Sequence, residues 1–301
     1  MKLVFLDALT LGDIDLSEFN KLGKVTIYQT TKENETLDRV KDADIVLTNK
    51  VVINKEIMDN SNIKMIQILA TGMNNVDLEY AKQKGIVVKN VAGYSTNSVT
   101  QLTFAMVLEI MNKLKYYDEY AKTKYSHSEI FTHIVDFYEL NGKTWGIIGL
   151  GTIGENVAKI AKAFGCKVVY YSTSGKNNNS EYKRVELDEV LKSDIISIHA
   201  PLNKNTQNLL NKSNLDLIKK DAILINMGRG GIVNEKDLAD IIDKQGFYAG
   251  FDVFTKEPID KNNPLLKVKN IILTPHIAWA SVEARQKLIS LAYKNIEQFI
   301  K

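Results

Sequence analysis

The chain has 301 residues, of which 45% are apolar and 25% are charged, and this composition is typical of a folded globular protein with two compact domains. Its 39 basic and 36 acidic residues are spread along the sequence, so the net charge of +3 argues against a nucleic-acid or anionic-membrane surface. One cysteine excludes an internal disulfide, and no apolar stretch reaches about 18 residues, so we expect a cytoplasmic protein.

Short apolar runs alternate with helical patterns through the first 97 residues. Strands are predicted at "KLVFLD", "KVTIYQ", "DIVLTN", "MIQILA" and "IVVKN", which begin near residues 2, 24, 44, 65 and 86. This alternation favours a parallel sheet covered by helices. A long helical pattern then starts near Ser98 and runs through "LTFAMVLEIMNKLKYYDEYAKTKY", and we place a domain boundary at its start.

A second alternating series begins at Trp145. Its predicted strands are "WGIIG", "KVVYY", "DIISIH", "AILINM", "YAGFDV" and "NIILTP". Its predicted helices lie at about 153–164, 187–192, 213–219 and 235–245. The last segment, "SVEARQKLISLAYKNIEQFI", has the pattern of an amphipathic helix that could return to the first domain. The sequence therefore predicts an α/β fold with two parallel sheets.

The segment "WGIIGLGTIGENVAKIAKAFG" places Gly149, Gly151 and Gly154 in the spacing GxGxxG between an apolar strand and an apolar helix pattern. In this motif the first glycine permits a tight turn, the second lets the backbone approach a pyrophosphate, and the third lets the helix pack closely. The following strand, "CKVVYY", completes a βαβ unit, which favours dinucleotide binding over a purely structural glycine turn.

The stretch "YYSTSGKNNN" follows about 20 residues after the glycines, where an NAD-binding protein usually has Asp or Glu for the ribose. Ser172 stands at that position, and Thr173, Ser174 and Lys176 are further donors. Because no carboxylate would repel a 2′-phosphate, the stretch favours NADP(H). Lysine is a flexible point charge and no arginine is present here, so NAD(H) stays open, as does a merely solvated loop.

Three later segments end predicted strands with reactive side chains. They are "INMGRGGIV" with Arg229, "FDVFTKEP" with Asp252 and Glu257, and "LTPHIAWAS" with His276. Ligands of open parallel sheets bind beyond the carboxyl ends of the strands, so these residues are candidates for one site. Taken singly, each has an ordinary alternative as a solvated turn, a loop carboxylate or a core histidine.

In chain order, the stretches "ILATGMNNVDLEYAKQKGIVVKNVAGYST", "GKTWGIIGLGTIG", "DIISIHAPLNKNTQNLL", "LINMGRGGIVNEKDL", "FDVFTKEP" and "TPHIAWAS" resemble the D-isomer-specific 2-hydroxyacid dehydrogenases. The resemblance covers nearly the whole chain. The stretches "TNKVVI", "ATGMNNVD" and "PHIAWAS" are most similar to the glycerate dehydrogenase and hydroxypyruvate reductase branch.

This resemblance implies the architecture and the partners. A Rossmann dinucleotide-binding domain of residues 98–274 would be inserted into a flavodoxin-like substrate-binding domain of residues 1–97 plus 275–301. Both would be doubly wound parallel sheets. The partner would be a small 2-oxo or 2-hydroxy acid. Independently of the resemblance, no metal is expected because the zinc-site spacings CxxC and HExxH are absent, and the scattered charges predict neither a nucleic acid nor a membrane as partner. A homodimer would form through the helix that begins near Ser98.

The resemblance also implies residue roles. Arg229 would hold the substrate carboxylate and carbonyl, His276 would donate the proton to the carbonyl oxygen, and Glu257 would pair with His276. Asp252 would position the nicotinamide carboxamide. The implied substrate-binding set is Asn49, Lys50, Ala70, Thr71, Gly72, Arg229 and His276. The implied cofactor-binding set is Gly149, Gly151, Thr152, Ile153, Gly154, Ser172, Thr173, Ser174, Lys176, His199, Ala200, Pro201, Thr206, Met227, Gly228, Asp252 and His276.

The implied activity is reversible reduction of hydroxypyruvate or glyoxylate to the D-2-hydroxy acid with NAD(P)H. Two alternatives stay open: a dehydrogenase for another 2-oxo acid, and a nucleotide-sensing co-regulator on the same scaffold. A sensor need not keep Arg229, Glu257 and His276 together, so the complete set favours the enzyme.

Overall fold

A computed structural model describes residues 1–301, which divide into two compact units. The first unit is Met1–Ser95 with Trp279–Lys301, and the second unit is Thr96–Ala278. None of the helices combines the length and the apolar character that crossing a bilayer requires.

The first unit contains a five-stranded parallel sheet. Its strands are β1 Lys2–Phe5, β2 Lys24–Ile27, β3 Ile45–Thr48, β4 Met65–Ile68 and β5 Val87–Lys89. They lie in the order β2-β1-β3-β4-β5, which is the flavodoxin-like order. Alternate residues of β1 enter different apolar clusters, Leu3 on one face and Val4 on the other. Helices therefore cover both faces of this sheet, which explains why every residue of β3 and β4 is buried.

The second unit contains a seven-stranded parallel sheet. Its strands are β6 Thr144–Ile148, β7 Lys167–Tyr171, β8 Lys183–Arg184, β9 Ile195–Ile198, β10 Ile223–Asn226, β11 Tyr248–Phe251 and β12 Ile271–Leu273. The order β8-β7-β6-β9-β10-β11-β12 is the dinucleotide-binding order with one further strand at the end. Leu224 and Ile225 of β10 enter different apolar clusters, so this sheet is also covered on both faces. The predicted fold class, with a Rossmann and a flavodoxin-like sheet, is confirmed.

Most helices connect parallel strands of one sheet, whereas α4 and α5 follow the last strand of the first sheet and precede the first strand of the second, and α9 follows the last strand of the chain. They are α1 Thr36–Val40, α2 Lys55–Asp59, α3 Leu78–Gln83, α4 Thr96–Asn112, α5 Leu114–Thr123, α6 Thr152–Ala163, α7 Leu187–Leu191, α8 Glu235–Gln245 and α9 Val282–Ile300. Short 3₁₀ turns lie at Ala8–Leu11, Ser17–Lys21, Glu33–Glu35, Tyr125–His127, Leu215–Leu217 and Pro264–Lys267. Helix α9 buries Leu288, Ala292 and Ile296 in the first unit, against the same cluster as Leu3.

Two helix predictions were wrong in part. The long pattern from Ser98 forms two helices, because Lys113 adopts a left-handed conformation with φ 51° between α4 and α5. The helix predicted at 213–219 is only the 3₁₀ turn Leu215–Leu217. There the side chain of Asn214 forms hydrogen bonds with the nearby backbone. Its Nδ2 donates to the carbonyl of Leu209 at 2.9 Å, and its Oδ1 accepts from the amide of Asn211 at 3.0 Å. Such side-chain bonds compete with the helical ones.

Candidate active site

The glycine turn joins β6 to α6 at the carboxyl edge of the second sheet. Gly149 has φ +93°, and a Cβ there would approach Ala200 to 3.0 Å, so the turn admits no larger residue. A Cβ at Gly154 would lie 2.4 Å from the carbonyl oxygen of Gly149. Gly151 caps α6, and a Cβ there would meet no atom within 4 Å. The open space before the first-turn amides of α6, which include those of Thr152 and Ile153, fits the pyrophosphate of a dinucleotide.

The loop after β7 is fastened to the glycine turn. The side-chain amide of Asn177 donates to the carbonyl of Leu150, which stands between the first two glycines. The backbone amide of Asn177 donates to the hydroxyl of the buried Ser172 at 3.4 Å. Ser174 and Lys176 are exposed, and Thr173 is partly buried. The donors predicted for a 2′-phosphate therefore lie next to the turn predicted for the pyrophosphate.

Arg184 is a residue that the sequence reasoning missed in this loop. It belongs to β8, where it pairs with Tyr170 of β7. Its Nη1 donates to the carbonyl of Gly175 at 2.9 Å and to Oδ1 of Asn178 at 3.4 Å. A guanidinium thus lies beside a loop that showed no arginine of its own. The basic pair Lys183 and Arg184 was visible in the sequence, but only the strand pairing brings it to the loop.

The loops after β9 and β10 lie against each other. Thr206 is fully buried, and its hydroxyl donates to the carbonyl of Pro201 at 2.6 Å and accepts from the amide of Asn203 at 2.8 Å. It therefore shapes the β9 loop rather than facing solvent. A Cβ at Gly228 would come within 2.7 Å of the carbonyl oxygen of Ala200. Met227, beside it, is buried.

His199 follows β9 and is buried in an unusual way. Its amide donates to the carbonyl of Ile148 at 2.9 Å, which extends the sheet pairing by one residue. The residue keeps a partly exposed surface, but both ring nitrogens are shut off from solvent and have no hydrogen-bond partner. Burial lowers the pKa of His199 to about 3, so the ring is neutral at physiological pH.

Arg229 lies in a turn that Asn226 holds. The buried Asn226 donates from Nδ2 to the carbonyl of Arg229 at 3.1 Å, and its Oδ1 accepts from the amide of Gly228 at 3.1 Å. A Cβ on Gly230 would overlap the backbone of Phe254 at 1.9 Å, so the arginine turn packs directly on the loop after β11. Sequence reasoning missed the role of Asn226, because an asparagine at a strand end has no distinctive spacing.

His276 and Glu257 form a close pair, with Nδ1 of the ring 2.6 Å from Oε2 of the carboxylate. Their side chains are 21% and 26% exposed. The other carboxylate oxygen, Oε1, accepts from the amide of Phe254 at 3.1 Å, so Glu257 is anchored from two sides. His276 has φ 55°, a left-handed conformation, and its amide donates to the carbonyl of Asp252 at 2.8 Å.

Asp252 fixes the loop that carries His276. Its carboxylate is buried and accepts from the hydroxyl of Thr274 at 2.6 Å, the amide of Ile277 at 2.8 Å and the amide of Ala278 at 2.9 Å. Burial raises the pKa of Asp252, and these hydrogen bonds oppose the shift. A contact from Asp252 to the nicotinamide carboxamide stays a prediction.

The residues predicted for substrate in the first unit follow the carboxyl ends of β3 and β4. Asn49 is buried, and its Nδ2 donates to the hydroxyl of Thr10 at 3.2 Å, whereas Lys50 is exposed. The amide nitrogens of residues 70–72 donate to no acceptor in the protein, while the carbonyl of Thr71 accepts from Nδ2 of Asn90 at 2.6 Å. Consecutive unpaired amides of this kind suit a carboxylate.

Comparisons with known proteins agree on one family. Residues 104–278 match the family described as D-isomer specific 2-hydroxyacid dehydrogenase, NAD binding domain. A hydroxypyruvate reductase of Blautia hydrogenotrophica is 40% identical to the chain, and the match covers 100% of this chain and 97% of the relative. A glycerate dehydrogenase of Methylorubrum extorquens is 34% identical over 99% of this chain and 96% of the relative.

Solved structures lead to the same family. An acyclic imino acid reductase, Bsp5, solved in complex with NADPH and D-Arg, matches with a TM-score of 0.88 and 31% identity over 99% of this chain and 97% of its own. A D-lactate dehydrogenase of Aquifex aeolicus, complexed with NAD and lactic acid, matches with a TM-score of 0.84 and 28% identity over 100% and 95%. The chain therefore belongs to the D-isomer specific 2-hydroxyacid dehydrogenase family, whose members are nicotinamide-dependent oxidoreductases.

Proposed function

We propose that this chain reversibly reduces a small 2-oxo acid, hydroxypyruvate or glyoxylate, to the D-2-hydroxy acid with NAD(P)H. The contact between His276 and Glu257 carries the proposal, because it places a proton donor at the edge of the sheet that also bears the glycine turn. Relatives that are 34–40% identical and named hydroxypyruvate reductase, glyoxylate reductase and glycerate dehydrogenase support the substrate class.

The proton chemistry follows from the pair. Because Nδ1 of His276 faces Glu257, Nε2 is the ring atom left to give its proton to the carbonyl oxygen and to take it back in oxidation. The Glu257 carboxylate holds Nδ1 and thereby orients the ring. A reduced nicotinamide held at the glycine turn by Gly149, Gly151 and Gly154 would supply the hydride for the carbonyl carbon. Arg229 neutralises the substrate carboxylate and the charge that grows on the carbonyl oxygen.

We assign substrate binding in the first unit to the unpaired amides of Ala70, Thr71 and Gly72 and to the exposed Lys50. Three amides and one ammonium suit the carboxylate of a 2-oxo acid. The side chain of Asn49 is engaged with Thr10, so we expect Asn49 to contribute through its backbone and by supporting the loop. In this proposal the first unit is the substrate-binding domain and the second is the dinucleotide-binding domain.

We further propose a preference for NADP(H) over NAD(H). No carboxylate stands at Ser172, and the exposed Lys176 and the guanidinium of Arg184 both flank the loop. Two cations attract the negatively charged 2′-phosphate of NADP(H). The neutral 2′-hydroxyl of NAD(H) cannot form an equally strong interaction with them. The similar imino acid reductase was solved with NADPH, whereas the similar D-lactate dehydrogenase was solved with NAD. Because these two similar structures differ in cofactor, the proposed preference for NADP(H) rests on the positive charge around this loop.

We also propose a homodimer, which the sequence analysis expected to form through the helix that begins near Ser98. Helix α4 buries Phe104, Val107 and Met111 in its own unit, so the pairing surface is expected on the exposed apolar segment that follows α5. A cytoplasmic location stays a prediction.

The test is absorbance of the reduced nicotinamide on addition of hydroxypyruvate, glyoxylate and other 2-oxo acids, with each cofactor separately. We expect turnover with at least one small 2-oxo acid, and a loss of about 10²- to 10⁴-fold in kcat for His276→Ala with unchanged cofactor binding. His127→Ala is the matched control, since His127 is exposed and remote in sequence from the site. An unchanged rate in His276→Ala would refute the proton role. Cofactor binding without turnover of any acid would favour a nucleotide sensor.

A further inference from the structure

Asp7 lies just beyond the end of β1 and is only 6% exposed. Its carboxylate accepts from the last residue of β3 and from the first three residues of the loop that follows. Oδ1 accepts from the amide of Asn49 at 2.9 Å, and Oδ2 accepts from the amide of Lys50 at 2.6 Å. Oδ2 also lies 3.3 Å from the amide of Val51 and 3.4 Å from the hydroxyl of Thr48. One buried side chain therefore binds four consecutive residues.

Neighbouring side chains fix the same loop from other directions. Thr10 donates from its hydroxyl to the carbonyl of Asp7 at 2.8 Å and accepts from Nδ2 of Asn49 at 3.2 Å. Nδ2 of Asn75 donates to the carbonyl of Val51 at 3.0 Å. A loop held by this many bonds, with Lys50 at its exposed tip, has one defined backbone conformation.

The second unit contains a similar arrangement of a buried carboxylate and a neighbouring loop. Asp252 follows β11 and accepts from the loop after the neighbouring strand β12, which carries His276. Asp7 follows β1 and accepts from the loop after the neighbouring strand β3, which carries Lys50. In both sheets a buried carboxylate at a carboxyl edge organises the adjacent loop. A buried carboxylate is costly unless its hydrogen bonds are complete, so these loops gain a definite shape from it.

We propose that Asp7 is a positioning residue for recognition of the 2-oxo acid. It acts by holding the backbone of residues 49–51 in one conformation. The Lys50 side chain therefore extends from a fixed backbone position. The inference rests on the proposed function and on the substrate role of Lys50. Loss of the Asp7 carboxylate should weaken binding of the 2-oxo acid. Cofactor binding and proton donation by His276 should not change.

The variant Asp7→Asn tests this proposal. Asparagine has the same shape, but its NH₂ group would face amide donors that need an acceptor, so one side of the contact is lost. We expect KM for the 2-oxo acid to rise about tenfold, with kcat within about threefold of the parent. The Kd of NADPH, measured by calorimetry, should not change.

Asp44→Asn is the matched control, because Asp44 lies at the other end of β3. It accepts from the amide of Lys2 at 2.8 Å and pairs with Nζ of Lys64 at 2.7 Å. We expect this variant to lower Tm and to leave KM unchanged. Lys50→Ala should raise KM, and adding Asp7→Asn to it should raise KM little further, because the two residues act through one loop.

The outcomes separate the inference from the proposed function. If the parent reduces no 2-oxo acid, the proposed function fails and the inference fails with it. If the parent is active and Lys50→Ala raises KM, but Asp7→Asn lowers only Tm as Asp44→Asn does, the positioning role alone is overturned. If Asp7→Asn does not fold, Asp7→Glu replaces it, and a parental KM in that variant counts against the proposal while a raised KM supports it.

Discussion

The ring of His199 is a neutral base enclosed by protein. Its nitrogens are buried without partners, and burial lowers the pKa of His199 from the usual 6.5 to about 3. In the unfolded chain the same histidine takes up a proton below about pH 6.5, whereas the folded protein does not. Its contribution to stability is therefore complete above pH 6.5 and is lost as the pH falls towards 3.

This difference predicts an acid-sensitive stability. Between pH 7.5 and pH 5.5 the free energy of unfolding should fall by about 1.4 kcal/mol on account of His199 alone. The measurement is urea denaturation followed by the fluorescence of Trp145, which is buried in the second unit, in a Trp279→Phe background. Replacing His199 by Asn should remove this part of the pH dependence.

His127→Asn is the control for the acid effect. His127 is exposed and keeps its ring nitrogen in contact with the hydroxyl of Ser126 at 3.0 Å. Its replacement should leave the pH dependence as in the parent. Equal losses of stability on acidification in His199→Asn and the parent would show that the buried ring is not the group that titrates.

Residues at strand ends were predictable, and residues that support them were not. Arg229, Asp252, Glu257 and His276 each follow an apolar run, and parallel strands bring such positions to one edge. Asn226 left no pattern of its own, because its role consists of two bonds to a turn. Supporting contacts of this kind depend on the folded backbone, which spacing does not reveal.

At the scale of elements, strand β8 adds an arginine to the cofactor loop that the sequence pattern did not predict. This strand has two residues, too few for a periodic pattern, so the sequence predicted no element there. Its register with β7 places Arg184 beside Gly175. The sequence also did not predict the break between α4 and α5. A left-handed residue at a helix end is usually glycine, but here it is Lys113.

The loop after β7 carries a prediction on cofactor choice. If the loop binds the 2′-phosphate as proposed, Lys176→Glu and Arg184→Gln should each weaken NADPH binding by about tenfold or more, because each removes a charged donor, and Lys176→Glu adds repulsion. Binding of NADH should change little. Isothermal calorimetry with adenosine 2′,5′-bisphosphate and with 5′-AMP measures the same difference without turnover.

Lys183→Gln is the control for this loop. Lys183 adjoins Arg184 on β8, but it pairs with Glu189 of α7 at 3.4 Å. It should leave the affinity ratio between NADPH and NADH unaltered. A ratio that stays at the parental value in both Lys176→Glu and Arg184→Gln would exclude the loop as the selector.

At the scale of the whole molecule, the largest exposed apolar side chains concentrate after α5. Ile130, Phe131, Ile134 and Phe137 are 59%, 88%, 75% and 54% exposed. The segment is tied down, since the hydroxyl of Tyr117 accepts from the amide of Val135 at 2.8 Å and donates to its carbonyl at 2.9 Å. Exposed apolar residues on an anchored segment are typical of a surface that a partner covers.

A second copy of the chain is the partner we predict. Light scattering after size exclusion should give twice the chain mass of 33.9 kDa for the parent, and the double variant Phe131→Ser, Ile134→Ser should shift towards the monomer. Leu9→Ser is the control, because Leu9 is 62% exposed in the first unit and its loss should leave the dimer intact. A monomeric parent, or a double variant that stays dimeric, would contradict this surface. Since burying one such side chain stabilises an interface by roughly 1.5–3 kcal/mol, the removal of two from each copy should raise the dissociation constant at least tenfold.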